Sequence, residues 1–211
     1  MFEPPPLIET ADARAPPGGE AGWFTGAGGA RLRAAIFTPP GRARGSIVLS
    51  GGRTEPIEKY YETIGDFLDR GFVVLAHDWR GQGLSQRLLP DGLKGHAHGF
   101  ADFVEDYRCL LAHFETRLPK PWIAVGHSMG GCLNLMSLAR GEDRFAAAVL
   151  CAPMLGLNLS RINRVASGPL SRLFHSFGRG GDYVMGQAES PWATFPTNRL
   201  THDAARYARL F

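Results

Sequence analysis

Across the middle of this chain, short unbroken apolar runs alternate with stretches in which apolar residues recur at helical spacing, and this pattern limits the possible folds sharply. Ile47, Val48 and Leu49 form the first such run. Ile57, Tyr60, Tyr61, Ile64, Phe67 and Leu68 follow at intervals of one helical face, and Gly71 then offers a C-terminal cap. The run at 72–76 is followed, after a long glycine-containing loop, by Phe103, Tyr107, Leu110, Leu111 and Phe114, a helical pattern that Pro119 terminates. A third run at 122–125 feeds a helix ending at Gly141, and a fourth at 145–151 is closed by Pro153. Strands without polar alternation, each returned by a helix, predict an α/β domain: a mostly parallel sheet with flanking helices and ligands at the carboxyl ends of the strands.

The flanks read differently. Residues 1–22, rich in Pro, Gly and Ala, are expected to form an irregular arm in which Leu7 and Ile8 pack locally. Two short strands, around 23–25 and 32–38, are joined through Gly26, Ala27, Gly28 and Gly29 as a hairpin. Beyond Pro153, Leu155, Leu157, Leu159, Ile162, Val165, Leu170, Leu173, Phe174 and Phe177 mix with Arg161, Arg164, Arg172 and Arg179 without strand alternation, which predicts a separate helical layer. The expected organisation is thus an arm at 1–22, a core at 23–153 and the beginning of a cap at 154–211. A net charge of +3 spread over the whole length, with no basic stripe, argues against nucleic-acid binding. Cys109, Cys132 and Cys151 each lie in apolar segments and are expected to be small buried hydrophobes, without metal-type spacing or a disulfide framework. The start of the chain lacks the basic and apolar regions of a secretory signal, and no run approaches the roughly 18 apolar residues of a membrane span, so a cytoplasmic location is expected.

The chemistry concentrates at Gly126-His127-Ser128-Met129-Gly130, a G-x-S-x-G pattern set between a strand and a helix. A serine on so sharp a turn adopts strained dihedrals, and the residues two before and two after it must be nearly free of side chain to avoid neighbouring backbone. Ser128 is the candidate nucleophile, with Gly126 and Gly130 as the elbow glycines. The Met129 N–H, at the positive end of the following helix, is one candidate oxyanion donor. The second is expected from Ser50-Gly51-Gly52-Arg53, where glycine lets backbone approach a substrate. His127 is read as a packed polar residue rather than the base, because successive side chains at a sharp turn point apart. Asp78 precedes the serine in the chain and is assigned a turn-stabilising role, Gly81-Gln82-Gly83 a structural turn. His96 and His98, without further ligands in spacing, imply no metal, and no cofactor is implied elsewhere.

GHSMGG, together with SGGRTEPIEKY and AHDWRGQGLS, resembles the α/β-hydrolase group of bacterial lysophospholipases and monoacylglycerol lipases, which is serine aminopeptidase-like. The resemblance implies an α/β-hydrolase fold, Gly52 and Met129 as oxyanion-hole amides, a structured turn at 78–85, and a lipid-covering cap from about residue 154. It also implies a small lipid ester as substrate, cleaved through an acyl-enzyme on Ser128 with help from a carboxylate and a histidine that follow the serine in the chain. Neither is assigned here. Asp182, Asp203, His175 and His202 fall in the expected cap with no apolar strand before them, so the last core strands are expected to be missing and the chain to be a weakly active or inactive portion of a longer enzyme. Two alternatives share these features: another acyl-transfer enzyme of the fold, such as an aminopeptidase or thioesterase, and a non-catalytic binding module. The arginine- and leucine-rich cap carries a further expectation of peripheral contact with anionic lipid headgroups.

Overall fold

A computed structural model describes residues 3–156, 160–183, 195–197 and 202–208. The expected apolar positions Leu157 and Leu159, and the side chains of Ile162 and Arg164, lie outside the described residues.

Six strands form one sheet in the order β1-β2-β4-β3-β5-β6. These are β1 (Gly19–Thr25), β2 (Arg31–Phe37), β3 (Gly45–Ser50), β4 (Phe72–His77), β5 (Trp122–His127) and β6 (Phe145–Cys151). The hairpin strands β1 and β2 run antiparallel, and β2 pairs antiparallel with β4. From β4 through β3 and β5 to β6 the strands are parallel, as the crossovers require. The register brings their carboxyl ends level: Ser50 pairs with both His77 and Gly126, and His127 with Cys151. The loops that follow these strands therefore open on one edge, and that edge positions the site.

The period of two along each strand divides the core. Ile47, Leu49, Val74 and Ala76 pack on one face with Tyr61, Ile64 and Leu68 of α1 (Tyr61–Asp69). Val48, Val73 and Leu75 point to the other, against Tyr107, Leu110 and Leu111 of α2 (Phe100–Phe114) and Leu133 of α3 (Met129–Ala139). Burial on both faces explains why β3 and β4 read as unbroken apolar runs. Gly71 ends the α1 segment as expected, with φ of 80° and its N–H donated to the Leu68 carbonyl at 2.8 Å.

Three expectations change. β1 reaches back to Gly19, through Gly19-Glu20-Ala21-Gly22, because pairing with β2 makes that stretch extended where its composition gives no strand signal. β6 is apolar but lies at the sheet edge, with Val149 50% exposed. Cys151, at its end, is consequently exposed, and Cys109 and Cys132 are only half-buried, so none of the three is the fully buried hydrophobe expected from its apolar neighbours. The arm is irregular but anchored: Trp23 Nε1 donates to the Glu3 carbonyl at 2.8 Å, Tyr61 Oη to that of Ile8 at 3.1 Å, and Leu7 packs against the α1 side of the core. Past Pro153, the expected helical segment includes α4 (Arg161–Ser176), which contains Pro169 and exposes Val165 and Leu173, and α5 (Ala204–Ala208).

Candidate active site

Ser128 occupies the junction of β5 and α3 with φ of 50° and ψ of −114°, a region that few residues with a Cβ enter. The strain is held from three sides. Its N–H donates to the Cys151 carbonyl at 3.0 Å, and its own carbonyl accepts from Met154 at 2.9 Å and Cys132 at 3.1 Å. A serine at a helix N-cap ordinarily turns its hydroxyl onto the first turn, but Ser128 makes no such side-chain cap, so Oγ is not spent on the helix.

The flanking glycines are required by contact. A Cβ on Gly130 would lie 2.2 Å from the Ser50 carbonyl oxygen and 2.5 Å from that of Gly51. One on Gly126 would lie 2.7 Å from Gly131 backbone and 2.8 Å from Asn134 Nδ2. The elbow therefore sits directly on the loop after β3, and no L side chain fits between them. Met129 is buried at the first turn of α3, where an N–H has no intrahelical acceptor.

The loop after β3 is fixed by side chains from elsewhere. Trp79 Nε1 donates to the Gly51 carbonyl at 2.8 Å, and Gln82 Oε1 accepts from the Thr54 N–H at 2.5 Å. Gly52, the expected second oxyanion donor, gives its N–H to Glu55 Oε2 at 2.6 Å, with Tyr60 Oη at 3.3 Å. Glu55 is the hub of this corner: Oε1 accepts from Lys59 Nζ at 2.5 Å, and Oε2 accepts from Tyr60 Oη and, at 2.9 Å, from His127 Nδ1. Burial alone would raise its pKa, but the hydrogen bonds from Lys59, Tyr60 and His127 outweigh it and hold the carboxyl down to about 2. Its negative charge is present throughout the neutral range.

His127 is thus not simply packed away: its side chain is 43% exposed and is anchored through Nδ1 to Glu55. Beneath the loop, His77 lies against Ser50 Oγ at 3.3 Å and edge-on to Trp79 at 4.3 Å, and burial lowers its pKa to about 3, so it is a neutral ring.

Asp78 has the structural role expected of it. Oδ2 accepts from Arg33 Nε at 2.6 Å and the Leu84 N–H at 2.7 Å, while Oδ1 accepts from the Ile57 N–H at 3.0 Å. Gly83 is needed because a Cβ there would lie 2.0 Å from the same carboxylate. Arg33 is fully buried and also meets Glu58 through two bonds of 2.7 Å; burial works against its charge, but Glu58 and Asp78 more than compensate and raise its pKa. His96 and His98 stack edge-to-face at 5.6 Å, and among the described residues no group of three His, Cys, Asp or Glu side chains is placed to hold a metal. Nor does any histidine of the described residues hydrogen-bond Ser128 Oγ.

Sequence reasoning missed Glu55, Lys59 and Tyr60. The i,i+4 spacing of Glu55 and Lys59 was visible, but the return of Glu55 onto Gly52, three residues away, is a property of the folded loop.

A mostly parallel sheet in which one parallel strand, β5, turns sharply into a helix at a strained serine is the architecture of the α/β hydrolases. A family model described as serine aminopeptidase, S33, matches residues 41–207, and the chain belongs to that family. Lysophospholipase L2 of Escherichia coli strain K12 is 36% identical over 168 residues, spanning 77% of this chain and 48% of that protein. A monoacylglycerol lipase of Mycolicibacterium smegmatis is 35% identical over 131 residues, spanning 62% of this chain and 45% of that one. The chain spans about half the length of the curated relatives it matches. Among solved structures, a thermostable carboxyl esterase from Bacillus coagulans in complex with glycerol superposes with a TM-score of 0.65 at 23% identity, covering 79% of this chain and 53% of that one, a likeness of fold. Among the described residues no helix is long and apolar enough to cross a membrane.

Proposed function

We propose that this protein is a serine hydrolase acting on carboxylic esters of lipids, a lysophospholipid or a monoacylglycerol, through an acyl-enzyme on Ser128. The strained elbow carries the reading: φ of 50° at Ser128 is maintained by three backbone hydrogen bonds and by glycines at 126 and 130 that tolerate nothing larger. The names of the similar lysophospholipase and monoacylglycerol lipase supply the substrate class. In this reaction Ser128 Oγ adds to the ester carbonyl, the oxygen takes up negative charge opposite the Met129 and Gly52 amides, and the alcohol leaves to give an acyl-serine that water hydrolyses. The serine proton needs a base, and neither a base nor its supporting acid is assigned. A nucleophile with oxyanion donors alone retains an acceleration on the order of 10³ to 10⁴ over water, so slow turnover is expected of these 211 residues.

The test is labelling with a fluorophosphonate, in which Oγ bonds to phosphorus and fluoride leaves, followed by release of fatty acid from monoacylglycerol, lysophospholipid and aminoacyl-amide substrates. Slow labelling, in step with the slow turnover expected, confined to Ser128 and lost in Ser128→Ala, with ester preferred over amide, is the expected result; labelling that survives the substitution removes the proposal. Preference for the amide would favour the aminopeptidase alternative, and absence of labelling a binding module. Arg161 and Arg172 on α4, beside exposed Val165 and Leu173, support peripheral contact with anionic lipid. Sedimentation with phosphatidylglycerol vesicles, unchanged on charge reversal of both arginines, would remove that part.

A further inference from the structure

We propose that Glu55 is an internal competitor for the oxyanion hole, its carboxylate occupying the Gly52 N–H until a substrate's developing negative charge displaces it. The inference rests on the reading of Ser128 as nucleophile and goes beyond it, because it assigns a function to a side chain outside the elbow. Gly52 lies just past Ser50, the last residue of β3, and a Cβ on Gly130 would lie 2.2 Å from the Ser50 carbonyl oxygen and 2.5 Å from that of Gly51, so the loop that carries its amide abuts the elbow. That amide is turned to Glu55 Oε2 at 2.6 Å, the distance of a strong charge-assisted bond. Among the described residues the Met129 N–H makes no bond to this carboxylate. In this arrangement the Gly52 N–H is engaged by a carboxylate that the Met129 N–H does not touch.

The competitor is well held. Glu55 is 9% exposed and keeps three donors apart from Gly52: Lys59 on Oε1, Tyr60 and His127 on Oε2. Losing the Gly52 bond therefore leaves the carboxylate satisfied by other partners, which makes displacement feasible without stranding a buried charge. Glycine at 52 lets the peptide reorient, and it also admits the carboxylate, since a Cβ there would lie 2.5 Å from Glu55 Oε2. An ionised carboxylate beside a forming oxyanion repels it, so the same group that organises the loop opposes the reaction until it moves.

The sign of the mutational effect separates this role from a structural one. Glu55→Gln keeps an acceptor but removes the charge. It should raise the second-order rate of fluorophosphonate labelling at Ser128 by roughly tenfold, a fraction of the 10² to 10³ carried by one oxyanion donor. The Gly52 amide proton, followed by NMR, should move upfield and exchange faster. A purely structural Glu55 predicts slower labelling, and slower labelling in a variant that melts at the wild-type temperature overturns the proposal. Phenylboronic acid, which forms a tetrahedral anion on a reactive serine, gives a second measurement on the unmodified chain: saturation should shift the Gly52 amide, and an unmoved Gly52 signal with boronate bound at Ser128 also overturns it. If neither wild type nor variant labels or binds boronate although both are folded, the reading of Ser128 fails instead. Gly52 exchange then still decides the competitor: faster in Glu55→Gln supports occupancy by the carboxylate, and unchanged refutes it.

Discussion

Lowering the pH from 7.5 to 5.0 should destabilise the fold by about 2 kcal/mol through His77 alone. Burial keeps this ring neutral, its pKa lowered from 6.5 to about 3, with Ser50 Oγ as its hydrogen-bonding neighbour. Well above pH 6.5 both folded and unfolded chains carry a neutral ring, and the residue contributes no pH dependence. As pH falls below 6.5 the unfolded chain takes up a proton that the folded chain refuses, so stability is lost progressively down to about pH 3 and then levels off. At pH 5.0 the population of protonated unfolded chain is worth RT ln(1 + 10^1.5), or about 2 kcal/mol, and the local slope approaches ~1.3 kcal/mol per pH unit. Urea unfolding followed by tryptophan fluorescence at half-unit steps of pH measures this directly. His77→Gln cannot titrate, and subtracting its pH dependence from that of the wild type isolates the residue whatever the substitution costs in absolute stability. Parallel curves for the two proteins would show that His77 protonates in the folded state, and the packing argument beneath the β3 loop would be wrong.

Gly130→Ala places a methyl group 2.2 Å from the Ser50 carbonyl, a backbone atom that cannot rotate away, and should lower stability by about 3 kcal/mol in urea while abolishing fluorophosphonate labelling of Ser128. Retained labelling with an unchanged midpoint would show that the loop after β3 does not abut the elbow. Arg33→Met leaves Asp78 and Glu58 without their shared cation in a fully buried position and should cost roughly 3 to 5 kcal/mol, readable as a drop in melting temperature. A loss below ~1 kcal/mol would mean that water reaches those carboxylates.

The layered fold was legible because burial on both faces of a central sheet leaves a direct mark on sequence: Val48 faces α2 and α3 while Ile47 and Leu49 face α1, and all three must be apolar. The elbow was legible because sterics leave glycine alone at 126 and 130. Residues 19–22 of β1 were not, since Gly19-Glu20-Ala21-Gly22 becomes strand only by pairing with β2. The exposure of Cys151 was hidden for the converse reason: an apolar run does not disclose that its strand lies at the margin of the sheet. The corner around Glu55 depends on a loop folding back on itself and bringing Lys59, Tyr60 and His127 to one carboxylate, contacts without periodicity. Such convergence leaves no regular trace in a single chain.

Residues 3–18, although without helix or strand, behave as a strap buckled to the centre of the molecule. Arg33 Nη1 donates to the Pro6 carbonyl at 3.0 Å, and the Ile8 N–H donates to Glu58 at 3.1 Å, the same carboxylate that clasps Arg33. A purification handle attached ahead of Pro6, or a protease trimming past Ile8, would pull on that clasp directly. Preparations differing only at their leading edge are thus expected to differ in how firmly Asp78, and the turn it ties together, is kept in place.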